Sequence, residues 1–476
     1  MAGSGTAHLR EGRVDLALGV EHLVVEFPAG PFGVVYAVSD VSFDLADGET
    51  LGIVGESGCG KSTTAKAIMR VPPPTAGRVR LGGVDLGELG ADQMREVRSR
   101  LQMIFQDAIS SLNPRRRIRD VVAEPLVIRW LESHPRSPLI RLWERYVPRM
   151  LRLWRHPLLR RIGYPLLVAF FVGLVLWVAG SATGSEQADG TRDGGVVQAA
   201  GTVVMIGALV GLAPLVALFV VTAAVWLVLS VLLPFAAAPR AWRLWRGREA
   251  FWEGASVKVR QVLEDVGIDA DTAMDRRPHE FSGGQAQRIS IARALILDPE
   301  VVICDEPVSA LDVSVQAQVL NLLEELKAKY GLSLIFIAHD LAVVKNITDR
   351  VVVMYLGKVC EVGQPDEMFA RPRHPYTEIL MSSIPVIDPS VDPRGADTIT
   401  GEPPSPIMPP SGCRFCTRCP RAAERCAEEE PQIREVGPGQ FVACHFPVGN
   451  GDEGDGPAGD DRLATPATPA APAASG

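Results

Sequence analysis

GESGCGKS, residues 55–62, follows ETLGIVG (49–55), an apolar run of buried-strand length, and leads into STTAKAIMR (62–70), which has helical composition. The octet therefore sits at a strand-to-helix turn. Gly55, Gly58 and Gly60 permit positive φ, so that successive N–H groups converge beside a helix N-terminus, where an anion binds. Lys61 supplies a point charge suited to the β- and γ-phosphates of a nucleotide, and Ser62 can place its hydroxyl on Mg2+. Cys59 contributes its backbone N–H, and its thiol is incidental.

Two further apolar runs end in polar residues. VVICDEP (301–307) reads as a buried strand that delivers Asp305 and Glu306 to its C-terminal end, the edge where parallel sheets bind ligands. Adjacent acids can divide the labour: Asp305 holds Mg2+ through water, and Glu306 orients and polarises an attacking water as general base. SLIFIAHD (333–340) places His339 at the corresponding end of another strand, within reach of a γ-phosphate. Between these parts lies FSGGQ (281–285), whose serine hydroxyl and glycine N–H groups open the helix QAQRISIARAL and form a second anion-binding N-terminus. The chemistry expected is phosphoryl transfer to water.

With these strings in this order, the chain resembles the ATP-binding cassette family over nearly all its length outside one central stretch. The resemblance implies an α/β fold, a P-loop nucleotide-binding domain with a helical subdomain. It implies that Gly55, Glu56, Ser57, Gly58, Cys59, Gly60, Lys61, Ser62 and Thr63 bind ATP, while Ser282, Gly283, Gly284 and Gln285 face the γ-phosphate held by a second subunit. Gln106, in MIFQDAISSLNP (103–114), matches the family's glutamine loop, which touches Mg2+ and the attacking water and leads toward a transmembrane partner. SALD (309–312) matches the loop that crosses the dimer interface, which brings Asp312 to the site. Phe27, at the end of EHLVVEF (21–27), is the expected adenine-stacking aromatic, with Tyr36 as competitor.

FQDAISSLNPRRRIRDVVAEPL (105–126), RPHEFSGGQAQRISIARAL (277–295), RHPYTEILMSSIP (373–385) and GEPPSPIMPPSGCRFCTRCP (401–420) with ACHFP (443–447) are similar to the ATPase subunits of oligopeptide and dipeptide importers. That branch implies a second cassette, identical or paralogous, two permease subunits and, indirectly, a substrate-binding protein. Other solutes, nickel or opines, stay open by the same analogy, as does a non-transport ATPase. Nothing at the N-terminus reads as a secretory h-region, so the cassette is expected to face a reducing cytosol. Five of the eight cysteines cluster near the C-terminus. Cys413, Cys419, Cys426 and Cys444 match the family's four-cysteine pattern, which the resemblance associates with a [4Fe-4S] cluster; zinc fits four thiolates equally well. Cys416 departs from that pattern by adding a fifth thiol.

Between DVVAEPLVIRW and VKVRQVLEDVGI stand roughly a hundred residues more than a helical subdomain needs, the length of a small domain. IGYPLLVAFFVGLVLWVAG (162–180) carries no charge and, as a helix, is long enough to span a hydrocarbon core of roughly 30 Å. A second uncharged tract runs from about 196 to 235 and is interrupted by Pro214. Arg136, Arg141, Arg145, Arg149, Arg152, Arg155, Arg160 and Arg161 precede the first tract, and Arg240, Arg243, Arg246 and Arg248 follow the second. By the positive-inside rule, both ends stay cytoplasmic and the insert reads as a transmembrane-like helical hairpin, crossing near 162–180 and 205–235.

The expected order is a loose N-terminus (1–20), a first part of the core (21–106), a helical subdomain (107–284) interrupted by the 132–248 insert, a second part of the core (285–365) and a Cys-rich C-terminal extension (366–448). An acidic, Pro/Ala-rich tail (449–476) has too little apolar mass to fold. The net charge of -8 argues against a general nucleic-acid binder. The module is therefore expected at the cytoplasmic face of the membrane, held there by the hairpin and by its permeases.

Overall fold

The structure, a computed structural model, describes residues 5–10, 16–132, 199–200, 202–204, 206, 251–382 and 401–449. The chain forms two compact units, one of residues 1–127 with 255–476 and one of residues 128–254.

In the first unit, β1 (Leu16–Pro28), β2 (Val34–Ala46), β3 (Thr50–Val54), β4 (Ala76–Leu81), β5 (Val84–Asp85) and β6 (Leu101–Ile104) come before the helical segment. After it come β7 (Val301–Asp305), β8 (Ser333–Ala338), β9 (Arg350–Tyr355), β10 (Lys358–Gly363), β11 (Arg434–Gly437) and β12 (Gln440–Val442). They make two sheets, β2-β1-β4-β5 and β11-β12-β10-β9-β3-β8-β7-β6.

The larger sheet positions the chemistry. β9, β3, β8, β7 and β6 run parallel in that order, with Val54 opposite Ala338, Asp305 opposite Ile337 and Ile104 opposite Cys304. Every residue of β3, β7 and β8 is buried, as expected for strands covered on both faces, and this explains why they read as unbroken apolar runs. Each large aliphatic side chain withdrawn from water here, such as Leu51, Ile53, Ile303 or Ile335, contributes roughly 1.5–3 kcal/mol. The C-terminal ends of β3, β6, β7 and β8 consequently lie side by side on one edge.

Beyond β9 the sheet turns antiparallel. β10 pairs with β9, and β12 pairs with β10 through Glu361–Val442 and Val362–Phe441. The C-terminal extension therefore continues the core sheet and shares its core, with Ile433 and Ala443 packed among the residues of β3 and β9.

Helices Ile118–Glu132 and Gly283–Leu295 are linked by Arg293, whose Nη2 bonds Glu124 at 2.9 Å and whose Nη1 bonds the Ser111 carbonyl at 3.2 Å. One expectation changes at the N-terminus. Residues 16–20 are strand rather than loose chain, because β1 pairs with both β2 and β4, and His8 Nε2 bonds the Ser42 carbonyl at 2.7 Å while Arg10 pairs with Glu49. The two hairpin segments lie outside the described residues apart from residue 206, as does the tail from 450 onward. Among the described residues no helix is long and apolar enough to cross a membrane.

Candidate functional site

β3 runs directly into Gly55, and the helix Lys61–Ile68 begins six residues later. Gly55, Gly58 and Gly60 all have positive φ, at 151°, 81° and 104°. At Gly55 the requirement is also steric, since a Cβ would stand 2.1 Å from the Met354 carbonyl oxygen on β9. Lys61 is 4% exposed, and its ammonium donates to the Gly55 carbonyl at 2.7 Å and the Glu56 carbonyl at 3.0 Å, so the loop wraps around it. Cys59 is buried beside it, and burial pushes its thiol up and keeps it protonated, in keeping with a backbone role.

Ser62 and Asp305 meet across neighbouring elements, with Ser62 Oγ donating to Asp305 Oδ1 at 2.7 Å. Burial raises the Asp305 carboxyl, and the Ser62 bond opposes that rise. A hydroxyl and a carboxylate set together at the foot of a phosphate loop form an all-oxygen donor pair of the kind Mg2+ prefers. They fit that ion.

Glu306, Gln106 and His339 come from the ends of three adjacent parallel strands and converge. Gln106 Nε2 donates to Glu306 Oε2 at 3.0 Å, and His339 Nδ1 lies 3.2 Å from the same oxygen. Glu306 adopts φ 46°, a left-handed conformation uncommon outside glycine, with its N–H bonded to the Ile337 carbonyl at 3.0 Å. The backbone is thus bent to present this carboxylate at the strand end.

FSGGQ stands elsewhere on the surface. Ser282 caps the helix Gly283–Leu295 in a reciprocal box: Gln285 N–H donates to Ser282 Oγ at 3.4 Å, and Ser282 N–H to Gln285 Oε1 at 3.1 Å. Ser282, Gly283 and Gln285 are exposed, and their bonds are internal to the cap. A Cβ at Gly284 would meet Val315 Cγ1 at 2.5 Å, so glycine lets this helix approach Val313–Tyr330. Asp312, at the N-cap of that second helix, is exposed as well.

Phe27 and Tyr36 occupy adjacent positions of the β1–β2 ribbon. Phe27 pairs with Val35, and Tyr36 with Glu26, so the two aromatics project from opposite faces. Phe27 is 37% exposed, whereas Tyr36 is half-buried and its N–H donates to the Pro406 carbonyl at 3.0 Å.

Cys413, Cys416, Cys419, Cys426 and Cys444 line one cavity with His374 and His445. All five are free thiols. Burial pushes Cys419 up to about 12 and Cys444 up to about 11, and raises Cys413 and Cys416 too. Among the described residues no group of three or more His, Cys, Asp or Glu side chains is disposed to hold a metal ion. The expected cluster or zinc site is therefore a set of thiols that share one cavity, and among the described residues their arrangement does not fit a ligand shell.

Sequence reasoning missed the groups that grip Glu56. Its N–H donates to Tyr376 Oη at 2.8 Å, and its carboxylate is bound by Arg418, both residues lying beyond β10.

Residues 38–309 match the ABC transporter family, and residues 360–426 match the oligopeptide/dipeptide transporter C-terminal region. The oligopeptide transport ATP-binding protein OppF of Salmonella typhimurium is 40% identical over 398 residues, 83% of this chain and 84% of that protein. OppF of Haemophilus influenzae is 38% identical over 440 residues, 90% of this chain and 97% of that protein. Among solved structures, cbiO1 of Clostridium perfringens, part of the ABC transporter complex cbiONQ, covers 75% of this chain and 91% of its own at 19% identity, with a TM-score of 0.44.

Proposed function

The chain belongs to the ABC transporter family as an ATP-hydrolysing subunit that energises oligopeptide import, and on that premise we propose how its residues divide the work. The observation that carries the assignment of roles is the convergence of Gln106, Glu306 and His339 on one edge, next to the Ser62–Asp305 pair and the loop around Lys61. Gly55–Thr63 would hold the phosphates of ATP, with Lys61 at the β- and γ-positions, and Phe27 would stack on adenine. Ser62 and Asp305, with Gln106, would hold Mg2+, which supplies charge neutralisation at the γ-phosphate when bound. Glu306 takes the proton of the attacking water as general base, Gln106 orients its carboxylate, and His339 donates to the γ-phosphate.

Ser282, Gly283, Gln285 and Asp312 are exposed, and the bonds of Ser282 and Gln285 are internal to their own cap, which supports a role in trans: with Gly284 they would close on ATP held by a second cassette. Mixing a Lys61→Ala chain with a Ser282→Arg chain tests this. Each alone should be inactive, whereas the mixed dimer pairs an intact loop with an intact cap and recovers hydrolysis. Absence of recovery would refute a site shared between two copies of this chain.

The cassette works against two permeases at the cytoplasmic face of the membrane, and the 132–248 insert anchors it there as a hairpin. Its Arg-flanked, uncharged tracts support that, as do Val203, Val204 and Ile206, which are exposed on a helical stretch. A chain lacking residues 132–248 that still sediments with membranes free of permeases would overturn the anchor. A [4Fe-4S] cluster or zinc on Cys413, Cys419, Cys426 and Cys444 requires those thiols to lose their protons and close together; iron and zinc analysis after anaerobic purification decides it.

A further inference from the structure

The most conspicuous polar contact outside the reaction centre lies between the phosphate loop and the C-terminal extension. Arg418 stands between Cys416 and Cys419, and its side chain is 6% exposed. Nη1 donates to Glu56 Oε2 at 2.8 Å and Nη2 to Glu56 Oε1 at 3.2 Å, a two-pronged bond to the second residue of the loop. Nη1 also donates to Tyr355 Oη at 3.1 Å. The remaining donor, Nε, is buried without a partner. An unpaired buried donor is a cost that core packing does not select for, and such exceptions call for a specific explanation.

The guanidinium lies against Tyr355, one ring of a buried aromatic group. Tyr355, Tyr376 and Phe415 are almost fully buried; Tyr355 meets Tyr376 and Phe415 edge to face at 4.8 and 5.2 Å between ring centres, and Tyr376 and Phe415 are tilted at 5.3 Å. Tyr376 in turn accepts the Glu56 N–H. Glu56 is thus fixed at its amide and at its carboxylate by two residues from outside the loop, while its carbonyl takes one of the bonds of the Lys61 ammonium. A carboxylate in this position, one residue from Gly55, would repel the phosphates that the loop collects. Paired with a guanidinium, its charge is offset.

We propose that Arg418 is a positioning residue for the phosphate loop: it neutralises and holds Glu56, so that the C-terminal extension sets the nucleotide affinity of the cassette. The proposal rests on reading residues 55–62 as the ATP site. Arg418 touches none of the residues assigned to water activation, so its removal should act on binding and leave the chemical step alone. Removal of Arg418 together with the Glu56 charge should cancel, because the repulsion then has no source.

The test uses the full chain, with a fluorescent ATP analogue and Mg2+ for affinity and phosphate release for turnover. Arg418→Gln should weaken nucleotide binding roughly tenfold, as expected for one uncompensated charge near a phosphate, and raise KM in parallel with kcat within about twofold. Introduced into a Glu56→Gln chain, the same change should cost less than about twofold. Arg418→Lys, which keeps the charge but loses the fork, should fall between, and it preserves the test if the glutamine variant fails to fold. An equal loss with and without the Glu56 charge, a fall in kcat rather than affinity, or a lower melting temperature with unchanged binding would each overturn the proposal. Lys61→Ala separates the two readings: if it leaves binding intact, the ATP site itself is misplaced, whereas if it abolishes binding while Arg418→Gln has no effect, only the role of Arg418 fails.

Discussion

Glu306→Gln removes one charge and almost no volume. The carboxylate oxygen that contacts Gln106 at 3.0 Å and His339 at 3.2 Å becomes an amide, which still accepts a bond from Gln106 but cannot take a proton from water. Loss of a positioned general base is worth about 10²–10⁴ in rate, or about 3–5 kcal/mol in barrier height. Binding should move the other way. Removing a like charge from beside the bound phosphates lowers their repulsion, so ATP should be held more tightly. Steady-state phosphate release should therefore fall by about two orders of magnitude or more, while light scattering with Mg·ATP shows a persistent dimer. Turnover within about threefold of the unaltered chain would mean that another group activates the water, since no mechanism that uses Glu306 as base survives that result.

Other expectations follow from the same geometry. Ser62→Ala leaves the buried Asp305 carboxylate without its hydroxyl partner, and the Mg2+ concentration needed for half-maximal hydrolysis should rise about tenfold. Because burial raises Asp305 and an ion needs it charged, Mg2+ affinity should weaken on acidification earlier than for an ordinary carboxylate; a titration that is flat through the acid range would contradict this. Phe27→Ala should weaken binding of adenine nucleotides about two- to tenfold and Tyr36→Ala should not, and the reverse order would transfer the stacking role. His374 is fully buried, accepts the Tyr376 N–H at 3.0 Å and is pushed down to about 3, so it stays neutral in the fold while the unfolded chain takes up its proton near 6.5. Its contribution is complete above that value and is lost by ~1.4 kcal/mol per unit as pH falls toward about 3, against an opposite contribution from buried Glu361, whose carboxyl is raised. Urea denaturation of the His374→Asn chain should show a shallower loss between about pH 7 and 5, and an unchanged slope would refute the assignment.

What could be read from the chain in advance was what chemistry forces into a short span. A phosphate cradle needs glycines, a lysine and a hydroxyl within one turn, so residues 55–62 announced themselves, and the steric demand at Gly55 shows why no other residue serves there. Strands buried on both faces must be apolar throughout, which made β3, β7 and β8 visible and put Asp305, Glu306 and His339 at their ends. Residues 16–20 are not legible as strand in the sequence because their partners are β2 and β4, which a local reading of composition does not supply. Arg418 was hidden for a stronger version of the same reason. It is 362 residues from Glu56, in a stretch whose cysteines drew attention to metal chemistry, and nothing in its own neighbourhood distinguishes it from a surface arginine. Only the pairing of β12 with β10 and the aromatic seat of Tyr355, Tyr376 and Phe415 bring that stretch against the phosphate loop. If Arg418 acts as proposed, the extension belongs with the nucleotide site: a substitution at Arg418 or Tyr376 should then alter the loop as one at Glu56 does, and a chain trimmed after β10 would lose both contacts that reach Glu56 from outside the loop.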